Sequence, residues 1–209
     1  MSHFGAFVRT SKGKAAMLIV LAALAVAGLE TLYMNPPLEG KQDRTQIQTQ
    51  NAAPQGAVLK NFVTHAAAKA LPDMALQMAD GTAADLSLYR GDWLVVNYWA
   101  TWCAPCRKEM PQLDALAERY QGRGVRVIAL SVDRGGAQKP EKFLNELGVQ
   151  HLTRLYDPSY KSARAAKLIG LPTTLLVSPE GQEIGRLAGE ADWDSAGVHA
   201  LLDGYLAQD

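Results

Sequence analysis

Across 209 residues the chain has two cysteines and four histidines, and its 21 lysines and arginines are matched by 21 aspartates and glutamates. Each scarcity excludes something. Two cysteines cannot build the multi-bridge framework of a small secreted scaffold. A zinc site needs four ligands, and His3, His65, His151 and His199 are spaced closely neither to the cysteines nor to one another, so no metal is expected. Zero net charge with scattered basic residues leaves no field for a nucleic acid partner. No repeat recurs along the chain, which excludes solenoid architectures.

What is present begins at the N-terminus. Arg9, Lys12 and Lys14 precede an apolar run from Ala15 to Leu29, continued past Glu30 by Thr31-Leu32-Tyr33-Met34. Residues 15–34 amount to about 20 residues of helix, the thickness of a membrane. The basic flank predicts a cytoplasmic segment at 1–14 and a translocated remainder, so the expectation is a single-pass inner-membrane anchor with the folded part in the periplasm. Ala25-Val26-Ala27 before Gly28 also fits a cleavage site, which keeps a signal peptide as the alternative. No cysteine near the run allows lipid attachment. From residue 35 to 69 the chain turns to Pro, Gln, Thr, Asn and Ala, a flexible tether by composition, with a short helix over 58–69 as an option.

The two cysteines stand together in Trp102-Cys103-Ala104-Pro105-Cys106, directly after the apolar run Trp93 to Trp99. A CxxC that opens a helix after a buried strand puts both sulfurs on one face, close enough to form a disulfide and release it. A static bridge closing so small a loop would constrain the unfolded chain little, so thiol–disulfide exchange explains the pair better, and it needs no cofactor. A thiol of pKa ~8.5 must be activated to attack, and Cys103 at a helix N-terminus, with Arg107 and Lys108 one turn on, has that help. Cys103 is thus the expected nucleophile and Cys106 the resolving cysteine. Pro105 suits the first turn, where its missing N–H costs nothing and removes a donor near the sulfurs. Glu109, three residues past Cys106, is either a carboxylate serving the thiols or an ordinary solvated residue. Pro111 falls inside the helix and should kink it.

The surrounding pattern predicts alternation. A weak hairpin is expected over 74–88, buried strands over 93–99 and 125–132, and a helix over 105–121 with Met110, Leu113, Leu116, Ala117 and Tyr120 on its apolar side. Helices over 139–147 and 160–168 bracket a short strand at 152–156. Strands at 173–178 and 183–187 flank Pro179-Glu180-Gly181, and a last helix over 192–207 has Asp192 or Asp194 as its cap. The result is an α/β fold, a mixed sheet flanked by helices. Trp93, Trp99 and Trp193 are expected in the core and Trp102 partly exposed beside the sulfurs as docking surface.

Asn97 through Pro111, with Gly170-Leu171-Pro172-Thr173-Thr174, resembles the membrane-anchored thioredoxin-like reductases of the TlpA/ResA type over residues 71–206. The resemblance implies a thioredoxin-like domain at 70–209 with an N-terminal β-hairpin and an inserted helix-strand element between Val132 and Leu171. It implies a redox-active Cys103–Cys106 disulfide, a cis Leu171–Pro172 bond beside it that docks an extended partner, and Glu109 as the active-site glutamate. Asn97 stands where thioredoxin has a buried acid, so that role passes to Glu109 or to water. Implied partners are an integral-membrane thiol electron donor and cysteine-containing periplasmic proteins, either copper-centre assembly factors or apocytochrome c. The Gly-x-x-x-Ala-Pro-Glu stretch of the branch dedicated to haem ligation is absent, which weighs against apocytochrome c alone.

Three rivals remain distinguishable. Peroxiredoxins place proline and threonine or serine where Val96 and Ala100 stand here. A copper carrier would pair CxxxC with a distant histidine, and the spacing differs. A disulfide-forming oxidase shares the motif, and Ala104-Pro105 does not separate it from a reductase.

Overall fold

The computed structural model describes residues 59–208. The expected cytoplasmic segment, the expected anchor at 15–34 and the expected tether as far as residue 58 lie outside them. Among the described residues no helix is long and apolar enough to cross a membrane.

Eight strands form one mixed sheet: β1 Phe62–Ala70, β2 Leu76–Gln77, β3 Ala83–Ala84, β4 Trp93–Trp99, β5 Val125–Ser131, β6 Thr153–Tyr156, β7 Thr173–Val177 and β8 Gln182–Ala188, in the order β1-β8-β7-β4-β5-β6-β2-β3. Among the described residues four helices cover it: α1 Ala104–Arg119, α2 Gln138–Glu146, α3 Lys161–Ala165 and α4 Ala196–Leu206. β4 lies between parallel β5 and antiparallel β7, and all seven of its residues are buried. That double burial is why Trp93 to Trp99 carries no polar alternation. The β4-α1-β5 crossover returns the chain parallel, as a right-twisted sheet requires. Met110, Leu113, Leu116, Ala117 and Tyr120 all enter the core as expected. The helix passes through Pro111, whose ring is on the exposed side. The inserted element is α2 with β6, which adds to the sheet in parallel beside β5. The hairpin predicted at 74–88 is present as β2 and β3, two residues each, followed by a 3₁₀ turn at Leu86–Tyr89 capped by Asp85.

Two expectations are corrected. The tether does not extend to residue 69, and the optional helix at 58–69 is a nine-residue edge strand, β1, paired antiparallel to β8. The folded domain therefore starts near Phe62 rather than at residue 70. β1 is fixed from two sides. The Phe62 ring lies over Gly185, where a Cβ would come 2.7 Å from Phe62 Cζ and 2.7 Å from the Val63 carbonyl. His65 Nε2 meets Glu183 Oε1 at 2.7 Å, while Arg186 donates to both oxygens of the same carboxylate at 2.6 and 2.7 Å. Burial alone would raise the Glu183 carboxyl, but the Arg186 fork and His65 hold it below its ordinary value. Gly185→Val should force Phe62 and the β1 backbone off β8, at a cost of about 2 kcal/mol by overpacking. An unchanged denaturation midpoint for that variant would show that β1 does not seat there.

The last helix starts four residues later than expected. Ser195, not Asp192 or Asp194, is its cap, with Oγ accepting from the Val198 amide at 3.4 Å. The preceding Trp193 is held away from helical geometry by bonds into the site described next.

Candidate functional site

The C-terminal end of β4 runs straight into the cysteine loop. Thr101, two residues before Cys103, is held by Asp133 across the gap to β5: its amide donates to Oδ2 at 2.9 Å and its hydroxyl to Oδ1 at 2.6 Å. The Ser131 hydroxyl donates to the same carboxylate at 2.9 Å, and the Cys103 amide closes a turn onto the Ala100 carbonyl at 3.1 Å. This polar clamp, from a Ser-Val-Asp stretch at the end of an apolar strand, was not anticipated from sequence.

Cys103 caps α1 and Cys106 lies within its first turn. The two form a disulfide with S–S 2.06 Å and Cα–Cα 5.3 Å. The Cys106 amide points at Cys103 Sγ at 3.4 Å, so one of the helix's orphan donors is already aimed at the sulfur that would carry charge after reduction. No acidic residue occupies the first turn, and Arg107 and Lys108 are exposed on it. Cys106 is fully buried and Cys103 is 6% exposed. Cys106 is the less accessible of the two, as expected, but Cys103 is itself buried rather than exposed, because in the disulfide form its sulfur is bonded to the buried Cys106. Its neighbour Trp102 is 67% exposed, against 3% for Trp193, 5% for Trp93 and 0% for Trp99.

The Leu171–Pro172 bond is cis. Thr173 pairs with Tyr98 across β7 and β4, which puts this peptide at the end of the sheet from which the cysteine loop leaves. Pro172 is buried, Leu171 half-buried, and Ile169 just ahead of them is 93% exposed. Sequence reasoning missed Ile169, because its place at the end of a predicted helix gives no sign that it faces solvent.

Glu109 is not a solvated helix residue. It is 3% exposed and its carboxylate is fully engaged. Oε1 accepts from Asn97 Nδ2 at 2.8 Å; Oε2 accepts from Trp193 Nε1 at 3.0 Å and from the Ala191 amide at 3.4 Å. Asn97 also donates to Thr174 Oγ1 at 3.0 Å. Burial raises the Glu109 carboxyl above the ordinary carboxylate range; the Trp193, Asn97 and Ala191 hydrogen bonds oppose that, and the charge of Glu190 adds to it. An acid held this way is poised to take up and give back a proton closer to neutral pH than a free glutamate. In sequence Asn97 stands out only as a missing acid and Trp193 only as a core residue. Their convergence on Glu109 spans 12 and 84 positions of sequence, which no local pattern reveals.

The geometry therefore brings Cys103, Cys106, Pro105 and Trp102 together on one loop and helix start. It seats Glu109 three residues beyond Cys106, and places Leu171 and Pro172 at the same end of the sheet. Such a site can exchange a disulfide with a partner and move a proton while doing so.

Comparison with known proteins agrees with this chemistry. The sequence pattern of the AhpC/TSA family matches residues 67–182. The chain is 30% identical over 146 residues to a thiol-disulfide oxidoreductase ResA of Bacillus cereus, covering 66% of this chain and 75% of that one. It is 33% identical over 129 residues to ResA of Geobacillus thermodenitrificans, covering 60% and 73%. A crystal structure of a thiol:disulfide interchange protein DsbE from Chlorobium tepidum superimposes with TM-score 0.60 at 26% identity, covering 66% of this chain and 96% of that one.

Proposed function

The chain belongs to the AhpC/TSA family of thioredoxin-like proteins and is a thiol:disulfide oxidoreductase, and from that premise we propose that it is a membrane-tethered reductase keeping partner cysteines reduced outside the cytoplasm. The observation that carries this reading is the Cys103–Cys106 disulfide at the start of α1 with a buried, proton-competent Glu109 one turn behind it. Basic residues before the apolar run at 15–34 support a periplasmic domain on an inner-membrane anchor.

In this reading an integral-membrane thiol donor reduces the pair. Cys103 thiolate then attacks a partner disulfide, forming a Cys103–partner bond and releasing the partner's other sulfur. Cys106 Sγ next bonds to Cys103 Sγ, the Cys103–partner bond breaks, and its electron pair leaves with the partner's sulfur. The Cys106 proton passes to the Glu109 carboxylate. Two electrons have moved from the dithiol to the partner. Trp102, Pro105, Leu171 and Pro172 form the docking surface, with the backbone beside Leu171 offered to an extended peptide. The substrates proposed are cysteine pairs in copper-centre assembly factors or in apocytochrome c.

The test is the equilibrium reduction potential of the full chain against glutathione, read by tryptophan fluorescence, since Trp102 adjoins Cys103. A value near about −270 mV is expected for a reductase, whereas one near about −120 mV would make it a disulfide-forming oxidase.

A further inference from the structure

Asn97 is fully buried on β4, and its amide is satisfied at one end only. Nδ2 donates to Glu109 Oε1 at 2.8 Å and to Thr174 Oγ1 at 3.0 Å, while Oδ1 has no partner. This arrangement suits an ionised Glu109, whose two oxygens receive three N–H donors. It does not suit a protonated one. Oε2 faces the Trp193 indole N–H and the Ala191 amide N–H, and neither group can turn round and accept. A proton arriving on Glu109 must therefore settle on Oε1, whose one hydrogen-bond partner among the described residues, the Asn97 NH₂, cannot accept from it.

A half-turn of the Asn97 amide removes that conflict. It brings Oδ1 to the place where Nδ2 now stands, in reach of both Glu109 Oε1 and Thr174 Oγ1. The Thr174 hydroxyl, buried and free to rotate its hydrogen, then donates where it had accepted. Each orientation leaves one end of the amide unpaired, so burial favours neither and the protonation state of Glu109 decides between them. We infer that Asn97 is a positioning residue for Glu109, its amide turning over as the carboxyl gains or loses a proton so that either state is hydrogen-bonded. The inference rests on the reading of Glu109 as proton carrier in exchange. It gives Asn97 a role that a buried acid at the same place could not share without a second charge beside Glu109.

Groups facing Glu109 from the packed elements are Asn97 on β4, Thr174 on β7, and Ala191 and Trp193 in the loop after β8, with Glu190 the charged residue from that loop. In the oxidised protein the cysteines do not titrate, so a pH titration there follows Glu109 without the thiols.

The experiment is nuclear magnetic resonance of the ¹⁵N-labelled oxidised full chain, following cross-relaxation from the Asn97 side-chain NH₂ to the Thr174 side chain across pH. The contact is expected while Glu109 is ionised and is lost as it takes up its proton. Glu109→Gln should abolish the contact at every pH, because the Gln carbonyl must face Trp193 and Ala191 and its NH₂ then faces Asn97. Any other pattern overturns the inference, a contact that persists through the titration above all, and the wild-type titration decides even if the variant does not fold. Exchange activity measured on the same sample is a separate readout, so an inactive protein removes the functional reading without altering the amide result.

Discussion

Cys106→Ser should capture partner proteins as stable mixed disulfides, while Cys103→Ser should capture none and lose exchange activity by roughly a thousandfold or more, the scale on which deleting a nucleophile leaves only background. The asymmetry follows from where α1 puts the sulfurs. Cys103 is the cap residue, reached by the Cys106 amide at 3.4 Å and flanked by exposed Trp102. Once reduced, it faces unpaired helix donors that favour its thiolate. Cys106 sits inside the first turn with no exposed surface. A partner sulfur is expected to reach the first and not the second. With a hydroxyl in place of the resolving thiol, the Cys103–partner bond persists; with a hydroxyl in place of the attacking thiol, no bond forms. The check is non-reducing electrophoresis of each variant with a disulfide-bearing partner peptide. Capture by Cys103→Ser in place of Cys106→Ser would falsify the assignment.

How much of this could be read in the sequence depended on whether the determinant was local. Trp93 to Trp99 reads as a central strand because no polar face is needed between two neighbours. The helix after it reads from its apolar period and from Pro105 near its start. β1 did not read, for a physical reason. Its Ala66-Ala67-Ala68 favours helix by intrinsic propensity, and its residues are at most half-buried. It becomes a strand because β8 offers an edge and Gly185 leaves room for the Phe62 ring, which is tertiary context overriding propensity. A domain cut at residue 71 would lack this strand. The last helix is shorter than its sequence suggests for a related reason. Asp192 is a sound cap by type, but Trp193 donates to Glu109 and its amide to Gln112 Oε1 at 3.3 Å, and those bonds hold the segment out of the helix.

The site divides in the same way. Cys103, Pro105 and Cys106 stand within four residues, and Glu109 lies at helical spacing from them, so their nearness to one another is legible in the sequence. Whether Glu109 was solvated or held could not be read there. That depended on Asn97, Trp193 and Ala191, brought in from a strand and a distant loop. The Asp133 clamp on Thr101 was equally hidden, since it links residues 32 apart.

Glu109→Gln is expected to slow the resolving step about a hundredfold, the lower end of what a positioned acid or base contributes, with docking and formation of the mixed disulfide little changed. The isosteric amide keeps the Trp193 and Ala191 bonds through its carbonyl but cannot accept the Cys106 proton. In the wild type the resolving rate should rise as pH climbs through the Glu109 titration, which burial sets above the ordinary carboxylate range; the variant should lack that rise. A linked effect appears in stability. Between the ordinary carboxylate value and the raised one, folded Glu109 holds a proton that the unfolded chain has released, so the unfolded state binds fewer protons and stability falls as pH rises through that window. Glu183 works in the opposite sense. Its lowered value gives stability that is lost toward acid, which separates the two contributions along the pH axis. Denaturant midpoints of the oxidised protein over a pH series, where the cysteines do not titrate, should therefore decline through the Glu109 window in the wild type and stay level in Glu109→Gln. A decline of equal slope in both proteins would place the titrating group elsewhere and leave Glu109 a structural acid, and an unchanged resolving rate would take the proton transfer away from it as well.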